Sequence, residues 1–486
     1  MGAYLRFYER RIERELAAEA TRGVVPPVSS QPLGGEAPGS GGVTDRRQLI
    51  PPLGLREYWY PALPEKKVGT KKPLYWRMLG DELALFRDHD GKVAAVSDIC
   101  PHRGASMSRG DCFYKGTISC PYHGATFDGT GECKAFLTEG PDSKMVGNLE
   151  IRTYPTLTLR GWVFVWMGQG EPAKPEEDIP PEFFDAASTA QFHTYTYWPS
   201  SWILAIENQN DSHNGFYVHR NSLMQLTAPR MRARTPVGPR SKLIADRALV
   251  PLMQNQNYYA DETGKTPYQL YYPGVNGVWP LGKWRRLVWA LFKPWYALVF
   301  NRFRTNPKRT NPRQSEEWAA EAGNSCWHLP CAIRVNFGLY HYTRYAVPVS
   351  ENVSRVVYFH HRRAGGLLTS MVQKAWFHGY FNYWLHYNFS GQDALVTAPC
   401  RFWTKENFSP TDSHLILLRK LVTERSRDAK LAGSRSQAAN ISNEEALFNQ
   451  QRNWGGEPEV DLDAAASETT KTVPQDFIRG KQNFGS

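Results

Sequence analysis

Cys100-Pro101-His102-Arg103-Gly104 and Cys120-Pro121-Tyr122-His123-Gly124, with seventeen residues between His102 and Cys120, decide how this 486-residue chain is read. Each stretch offers one soft thiolate and one imidazole, so the two together supply four metal ligands. Zinc accepts the same four donors tetrahedrally. The zinc-finger pattern, however, pairs Cys with Cys and His with His along the chain, whereas here each loop carries one of each. A [2Fe–2S] centre with two Cys on one iron and two His on the other has that donor set. The flanking prolines and glycines suit tight turns that bring backbone N–H groups toward cluster sulfurs.

Working outward, residues 55–170 hold short β-rich runs (ELALFR, KVAAVSD, GTISC, TYPTLTL, WVFVWMG) broken by Gly, Pro and Asp, which predicts a small all-β domain. A Pro- and acid-rich connector follows at 171–185, and from 190 to about 430 strands and helices mix. YTYWP and RVVYFHHRRA read as strands; KAWFHGYFNYWLHYNF and LILLRKLVTERSRDAKLA read as helices. Leu5, Tyr8, Ile12 and Leu16 predict an amphipathic helix over 3–21, and the Gly-, Pro- and Ser-rich 22–45 reads as a flexible linker. The expected organisation is an N-terminal helix and linker (1–50), a cluster domain (51–172), a second domain (173–432, with an insertion at 253–325) and a polar C-terminal arm (433–486).

The pattern C-x-H…C-x-x-H inside a β-rich stretch of this size resembles the Rieske domain. The resemblance implies that Cys100 and Cys120 hold one iron and His102 and His123 the other. Respiratory-type members carry an extra Cys in each loop; this chain has Ala105 and Tyr122 nearby and no such Cys, which resembles the oxygenase or ferredoxin branch. Cys112 and Cys133 read as packing residues.

A second constellation lies in Glu207-Asn208-Gln-Asn-Asp211-Ser-His213-Asn-Gly215-Phe-Tyr-Val-His219-Arg220. Two His and one carboxylate form the facial triad of non-haem Fe(II) oxygenases, which leaves positions open for O2 and substrate. The stretch resembles the catalytic domain of Rieske non-haem iron oxygenases, carbazole-dioxygenase-like branch. It departs in placing one residue between Asp211 and His213 and six steps between the two His, about 240° apart on a regular helix; Gly215 permits a break. The resemblance implies that His213 and His219 bind a mononuclear Fe(II). The third ligand comes from a late carboxylate among Asp393, Glu406 and Asp412; Asp393 is chosen, and Asp412 reads as a helix N-cap. It implies for Asp211 a hydrogen-bonded bridge between a catalytic His and a cluster His of the neighbouring subunit, in a homotrimer. The implied fold is α+β: an all-β Rieske domain followed by a domain in which an antiparallel sheet wraps a helix.

The activity implied is O2-dependent hydroxylation of an apolar, aromatic or polycyclic substrate. No dinucleotide fingerprint or flavin motif is present, so electrons come from a separate ferredoxin or reductase. Mono-oxygenation, demethylation or desaturation of a lipophilic, sterol-like substrate uses the same irons. A Rieske electron carrier with a degenerate second domain and a zinc-bound interaction module are the readings from other classes. Composition narrows the partners. Lys and Arg total 58 against 47 Asp and Glu, and nine of the surplus eleven positive charges fall in 279–315, which holds no acid. So local a surplus argues against nucleic acid. The Trp-rich part of it, 279–304, reads as a cover over the pocket, as an interfacial element touching a membrane, or as a ferredoxin dock. Seven cysteines in so long a chain argue against a disulfide framework and for the cytoplasm, with membrane-peripheral contact through 279–304 left open.

Overall fold

The computed structural model describes Arg14 and residues 46–185, 189–210, 218–219, 239–244, 248–253, 325–336, 340–363, 367–400, 406–408 and 412–431. Of the helix expected over 3–21 only Arg14 is described. The linker, Asp211, His213, the 279–304 segment and the 433–486 arm lie outside the described residues.

The β-rich runs form ten strands: Trp59–Pro64 (β1), Leu74–Met78 (β2), Asp81–Arg87 (β3), Val93–Ser97 (β4), Thr117–Ser119 (β5), Ala125–Asp128 (β6), Cys133–Phe136 (β7), Thr153–Tyr154 (β8), Thr156–Leu159 (β9) and Trp162–Trp166 (β10). They build three antiparallel sheets, ordered β1-β10-β9, β2-β3-β4-β8 and β5-β6-β7. Phe86, Val96, Met107, Ile118, Phe127, Phe136 and Ile151 form a compact core beneath the two Cys-Pro loops. Cys133 is sealed in that core and Cys112 packs at its edge, as their reading as packing residues requires.

Seven further strands form one antiparallel sheet: Thr189–Trp198 (β11), Pro239–Ile244 (β12), Ala248–Met253 (β13), Ser325–His328 (β14), Ala332–Asn336 (β15), Tyr340–Ser350 (β16) and Val353–Arg363 (β17), ordered β11-β17-β16-β15-β14-β13-β12. The long β11, β16 and β17 are rich in β-branched and aromatic residues; β11 pairs with β17 in continuous register, Thr189 opposite Arg363 through Trp198 opposite Ser354, and β16 pairs with β17 with one irregularity between Pro348 and Ser350. Helix α1 (Trp202–Asn210) lies against β15, β16 and β17 and meets helix α3 (Ser390–Thr397). Before α3 the chain runs from helix α2 (Leu367–Trp376) through two π-helical stretches, Phe377–Phe381 and Tyr383–Phe389. Helix α4 (Ser413–Lys420) starts at Asp412, which occupies the N-cap position without making a side-chain cap bond. The expectation of an antiparallel sheet around a helix holds. The helix expected over 415–432 is interrupted by π-helical turns at Leu421–Arg425 and by extended backbone at Ser426.

One apolar core joins the β1-β10-β9 sheet to the seven-stranded sheet. Trp162 meets Phe359 edge-on at 4.9 Å, and Phe164 and Phe359 both meet Phe183. Arg427 fastens the same junction: it donates to Asp178, Glu177 and the Glu57 carbonyl while lying over the Tyr58 ring.

Behind the sheet sits a sealed ionic group. Glu182 pairs with Arg334 and stands 3.3 Å from His341; Glu182 and Arg334 are both 0% exposed. Burial opposes ionisation of Glu182, but Arg334 and His341 outweigh it and hold the carboxyl at about 2. Burial holds His341 down at about 4 and His361 at about 3. All three folded-state values lie below the unfolded ones, so the unfolded chain takes up protons first. Stability is therefore full near neutrality and falls as pH drops below about 6.5 for the histidines and below about 4.5 for Glu182. Glu182→Gln removes the negative charge facing the buried Arg334 guanidinium and is expected to cost about 3–5 kcal/mol at pH 7. Urea midpoints check this; a loss under about 1 kcal/mol contradicts it.

Candidate functional site

The two Cys-Pro loops are built to one plan. Cys100 N–H donates to the Ala105 carbonyl and Gly104 N–H to the Cys100 carbonyl. In the second loop Cys120 N–H donates to the Ala125 carbonyl and Gly124 N–H to the Cys120 carbonyl. Each turn closes on a glycine in the left-handed region, φ 73° at Gly104 and 69° at Gly124. At Gly124 a Cβ would also stand 2.6 Å from Leu137 Cβ, so the turn excludes any larger residue twice over. Asp98 ties the first loop down by accepting from Ser106 Oγ and Ser108 N.

These turns bring the four expected donors together. The Cys100 and Cys120 thiols are buried, are not joined in a disulfide, and lie within hydrogen-bond reach of each other. The Cys100 thiol, and then the N–H groups of Tyr122 and His123, hold Cys120 down at about 6, while its neighbour and burial push Cys100 up. The imidazoles of His102 and His123 stand edge to face at 4.8 Å, nearer the surface than the thiols. His123 Nδ1 is buried and has no hydrogen-bond partner among the described residues. A single zinc ion needs all four donors on one point, yet among the described residues no three His, Cys, Asp or Glu side chains converge as ligands of one ion. Two irons need only a thiol pair and an imidazole pair, and the residues present fit that group.

The second site is deep in the large domain. His219 is 3% exposed and its ring stacks on Phe389 at 3.6 Å. Its Nδ1 lies 3.3 Å from Gln392 Oε1, which, as an amide oxygen, calls for an Nδ1–H donor. Nε2 then carries a lone pair, and it stands 3.0 Å from Asp393 Oδ1. That contact is not aligned as a hydrogen bond, and Oδ1 has no hydrogen-bond partner among the described residues. With the ring neutral these are two acceptors, which a shared cation brings together as a proton on Nε2 also would, and donors about 2.1 Å from one ion at right angles stand about 3.0 Å apart. The residues therefore fit a bound iron. His213 and Asp211 lie outside the described residues. The other late carboxylates lie elsewhere: Glu406 pairs with Arg419 and Arg47, and Asp412 starts α4.

Glu207, on the sequence motif, does not join this pair. It is buried in a two-bond clasp with Arg419, at 2.7 and 3.0 Å, which fixes α1 to α4 immediately before the Asp211 stretch. Sequence reasoning missed Gln392, although its place beside Asp393 is a signal, because a metal-bound His regularly gives its other N–H to a nearby acceptor. It also missed His360 and His386, whose Nε2 atoms meet at 2.7 Å in the sheet-helix interior. On the π-helical run Tyr383 is 43% exposed, whereas Phe377 and Phe381 are buried. Gln392→Leu removes the Nδ1 acceptor and is expected to weaken Fe(II) or Co(II) binding at this site about 10- to 100-fold. Metal titration of the cluster-loaded protein checks it, and unchanged affinity contradicts it.

The model of the Rieske [2Fe–2S] domain matches residues 58–155. The chain is 35% identical over 173 residues to the terminal oxygenase component of carbazole 1,9a-dioxygenase from Sphingomonas sp, a match that spans 35% of this chain and 45% of that one, under half its length. Among solved structures, the terminal oxygenase of carbazole 1,9a-dioxygenase from Novosphingobium sp. KA1 superposes with a TM-score of 0.58 at 23% identity, covering 79% of this chain and 96% of that one. A carbazole-bound oxygenase in complex with the ferredoxin of carbazole 1,9a-dioxygenase superposes with a TM-score of 0.59 at 21% identity, covering 82% and 96%. Residues 58–155 are a Rieske [2Fe–2S] domain, carried on a chain with the fold of the carbazole 1,9a-dioxygenase terminal oxygenases.

Proposed function

We propose that this chain is the terminal oxygenase of a Rieske non-haem iron system: it takes electrons from a ferredoxin or reductase and uses O2 to hydroxylate an apolar, aromatic or polycyclic substrate. The observation that carries the reading is the pair of buried acceptors, His219 Nε2 and Asp393 Oδ1, in a chain that also holds the four cluster donors. When bound, the cluster supplies one-electron transfer and the mononuclear iron supplies O2 activation.

The protein's part is positioning and exclusion of water. Cys100 and Cys120 keep the thiolate side inside the β core, while His102 and His123 lie nearer the surface. Around that edge Ile99, Tyr122 and Leu137 are exposed apolar side chains, and Tyr122 stacks on His123 at 3.8 Å. Such a rim suits docking against another protein surface. It supports a homotrimer in which one subunit's imidazole edge meets its neighbour's large domain, with Asp211 as the bridge. The ferredoxin in the oxygenase–ferredoxin structure supports an electron donor of that kind here. His219 and Asp393 hold the iron with His213, Gln392 orients the His219 ring, and Phe389 closes its face. Tyr342, Tyr358, Phe377 and Phe381, all buried, keep the neighbouring interior apolar, which supports an apolar substrate. Seven free cysteines support a reducing cytoplasm, and the 279–304 segment supports peripheral contact with a membrane that delivers a lipophilic substrate.

Asp393→Ala separates this reading from a bare electron carrier. With reduced ferredoxin and aromatic substrates, the variant is expected to lose O2-dependent product formation about 100-fold or more while its cluster is still reduced at the wild-type rate. Wild-type protein that accepts electrons but consumes no O2, or a variant with full turnover, contradicts it.

A further inference from the structure

Arg103 follows His102 in the first cluster loop, and Tyr122 precedes His123 in the second. Main-chain N–H groups of these residues serve the thiols: that of Arg103 is directed at the Cys100 sulfur, and those of Tyr122 and His123 at the Cys120 sulfur. The Arg103 side chain crosses to the other loop instead. Its guanidinium lies over the Tyr122 ring, 5.5 Å from the centroid. Tyr122 in turn stacks on His123, with centroids 3.8 Å apart and planes 26° from parallel. Phe136, buried beneath the loops, lies 6.5 Å from His123 and meets His102 edge-on at 5.2 Å. Cation, phenol ring and imidazole thus form one unbroken set of contacts on the exposed side of the cluster donors.

Arg103 forms no ion pair among the described residues, and a guanidinium keeps its charge at every pH at which proteins work. A cation over a ring that is 56% exposed contributes little to stability. Its electrical effect reaches further. Reduction adds one electron and no atom to a [2Fe–2S] centre, so the charge at the site falls by one unit. Two thiolates place their negative charge on one iron, whereas two neutral imidazoles leave the other iron easier to reduce, so the electron enters on the imidazole side. A fixed positive charge on that side favours the reduced form. The two ring contacts bring the guanidinium within about one Debye length (~10 Å at 0.1 M salt) of the His123 ring, near enough that solvent weakens the attraction without cancelling it.

We propose that Arg103, held over Tyr122, is a positioning residue that raises the reduction potential of the cluster and so sets how readily the chain accepts an electron from its donor. Tyr122 keeps the guanidinium beside the imidazole edge, and Arg103 supplies the charge. This rests on the cluster held by Cys100, His102, Cys120 and His123 and not on the second iron. Absent O2 uptake by wild type would strike the oxygenase reading and leave the role of Arg103 untouched.

Midpoint potentials of the cluster-loaded full chain, titrated at pH 7 and low salt and read from the visible cluster spectrum, test this without turnover. Arg103→Gln is expected to lower the equilibrium constant for reduction about 2- to 10-fold, a fall of about 20–60 mV at 59 mV per ten-fold for one electron. Arg103→Lys keeps the charge and is expected to recover about half of that shift, the rest going with the lost stacking. Raising the salt from about 0.05 to about 0.5 M is expected to bring wild type toward the Arg103→Gln value while moving that variant less. Tyr122→Leu removes the ring that holds the guanidinium, so Arg103→Gln is expected to shift the potential less in that background than in wild type. Should Arg103→Gln take up no cluster, Tyr122→Phe is expected to keep the wild-type potential and Tyr122→Leu to lower it. Equal potentials in wild type and Arg103→Gln, an Arg103→Lys value no higher than that of Arg103→Gln, or equal values for Tyr122→Leu and Tyr122→Phe overturn the proposal. So does slower reduction of Arg103→Gln by ferredoxin at an unchanged potential, which would make Arg103 a docking contact only.

Discussion

Two acceptors, His219 Nε2 and Asp393 Oδ1, face each other at 3.0 Å in the interior of the large domain, and the surrounding structure holds them there. With the His219 ring neutral and no cation between them, such a contact is repulsive and its desolvation uncompensated. Gln392 takes the other His219 nitrogen, Phe389 takes the ring face, and Arg419 clasps Glu207 so that α1 ends firmly before the Asp211 stretch. Asp393 itself is delivered by a helical run whose π-helical turns change which face looks inward. Every one of these contacts makes sense around a cation.

The cluster loops solve a different problem. Two turns with the same hydrogen-bond pattern, each closed by a left-handed glycine, place a thiol inward and leave an imidazole nearer the surface. The asymmetry suits electron traffic, since the buried side is shielded and the imidazole side can meet a partner. The core shared by the β1-β10-β9 sheet and the large sheet, fastened by Arg427, makes the position of one domain depend on the other.

Much of this was legible in the sequence. The Cys-x-His and Cys-x-x-His spacing specifies the cluster loops because ligand spacing and turn chemistry are local properties. The β runs of 55–170 and the strands YTYWP and RVVYFHHRRA follow from alternation and β-branched content, and Asp393 was the candidate chosen for its place after an aromatic helix. What was not legible depends on contacts far apart in the chain or on departures from regular helix geometry. The meeting of His360 with His386 joins a strand to a helix across the domain interior, and no periodicity announces it. Tyr383 is exposed on a π-helical stretch that the sequence pattern does not mark. Glu207 looks like part of an acid-and-imidazole cluster until Arg419, more than two hundred residues later, is seen to take it.

The central claim is that one chain holds two iron centres, a paired cluster and a single ion. Iron and acid-labile sulfide per chain, measured after anaerobic reconstitution with Fe(II) and sulfide, tests it most directly. Three irons to two sulfides are expected. Two irons to two sulfides would leave the Rieske domain standing and remove the iron site at His219 and Asp393.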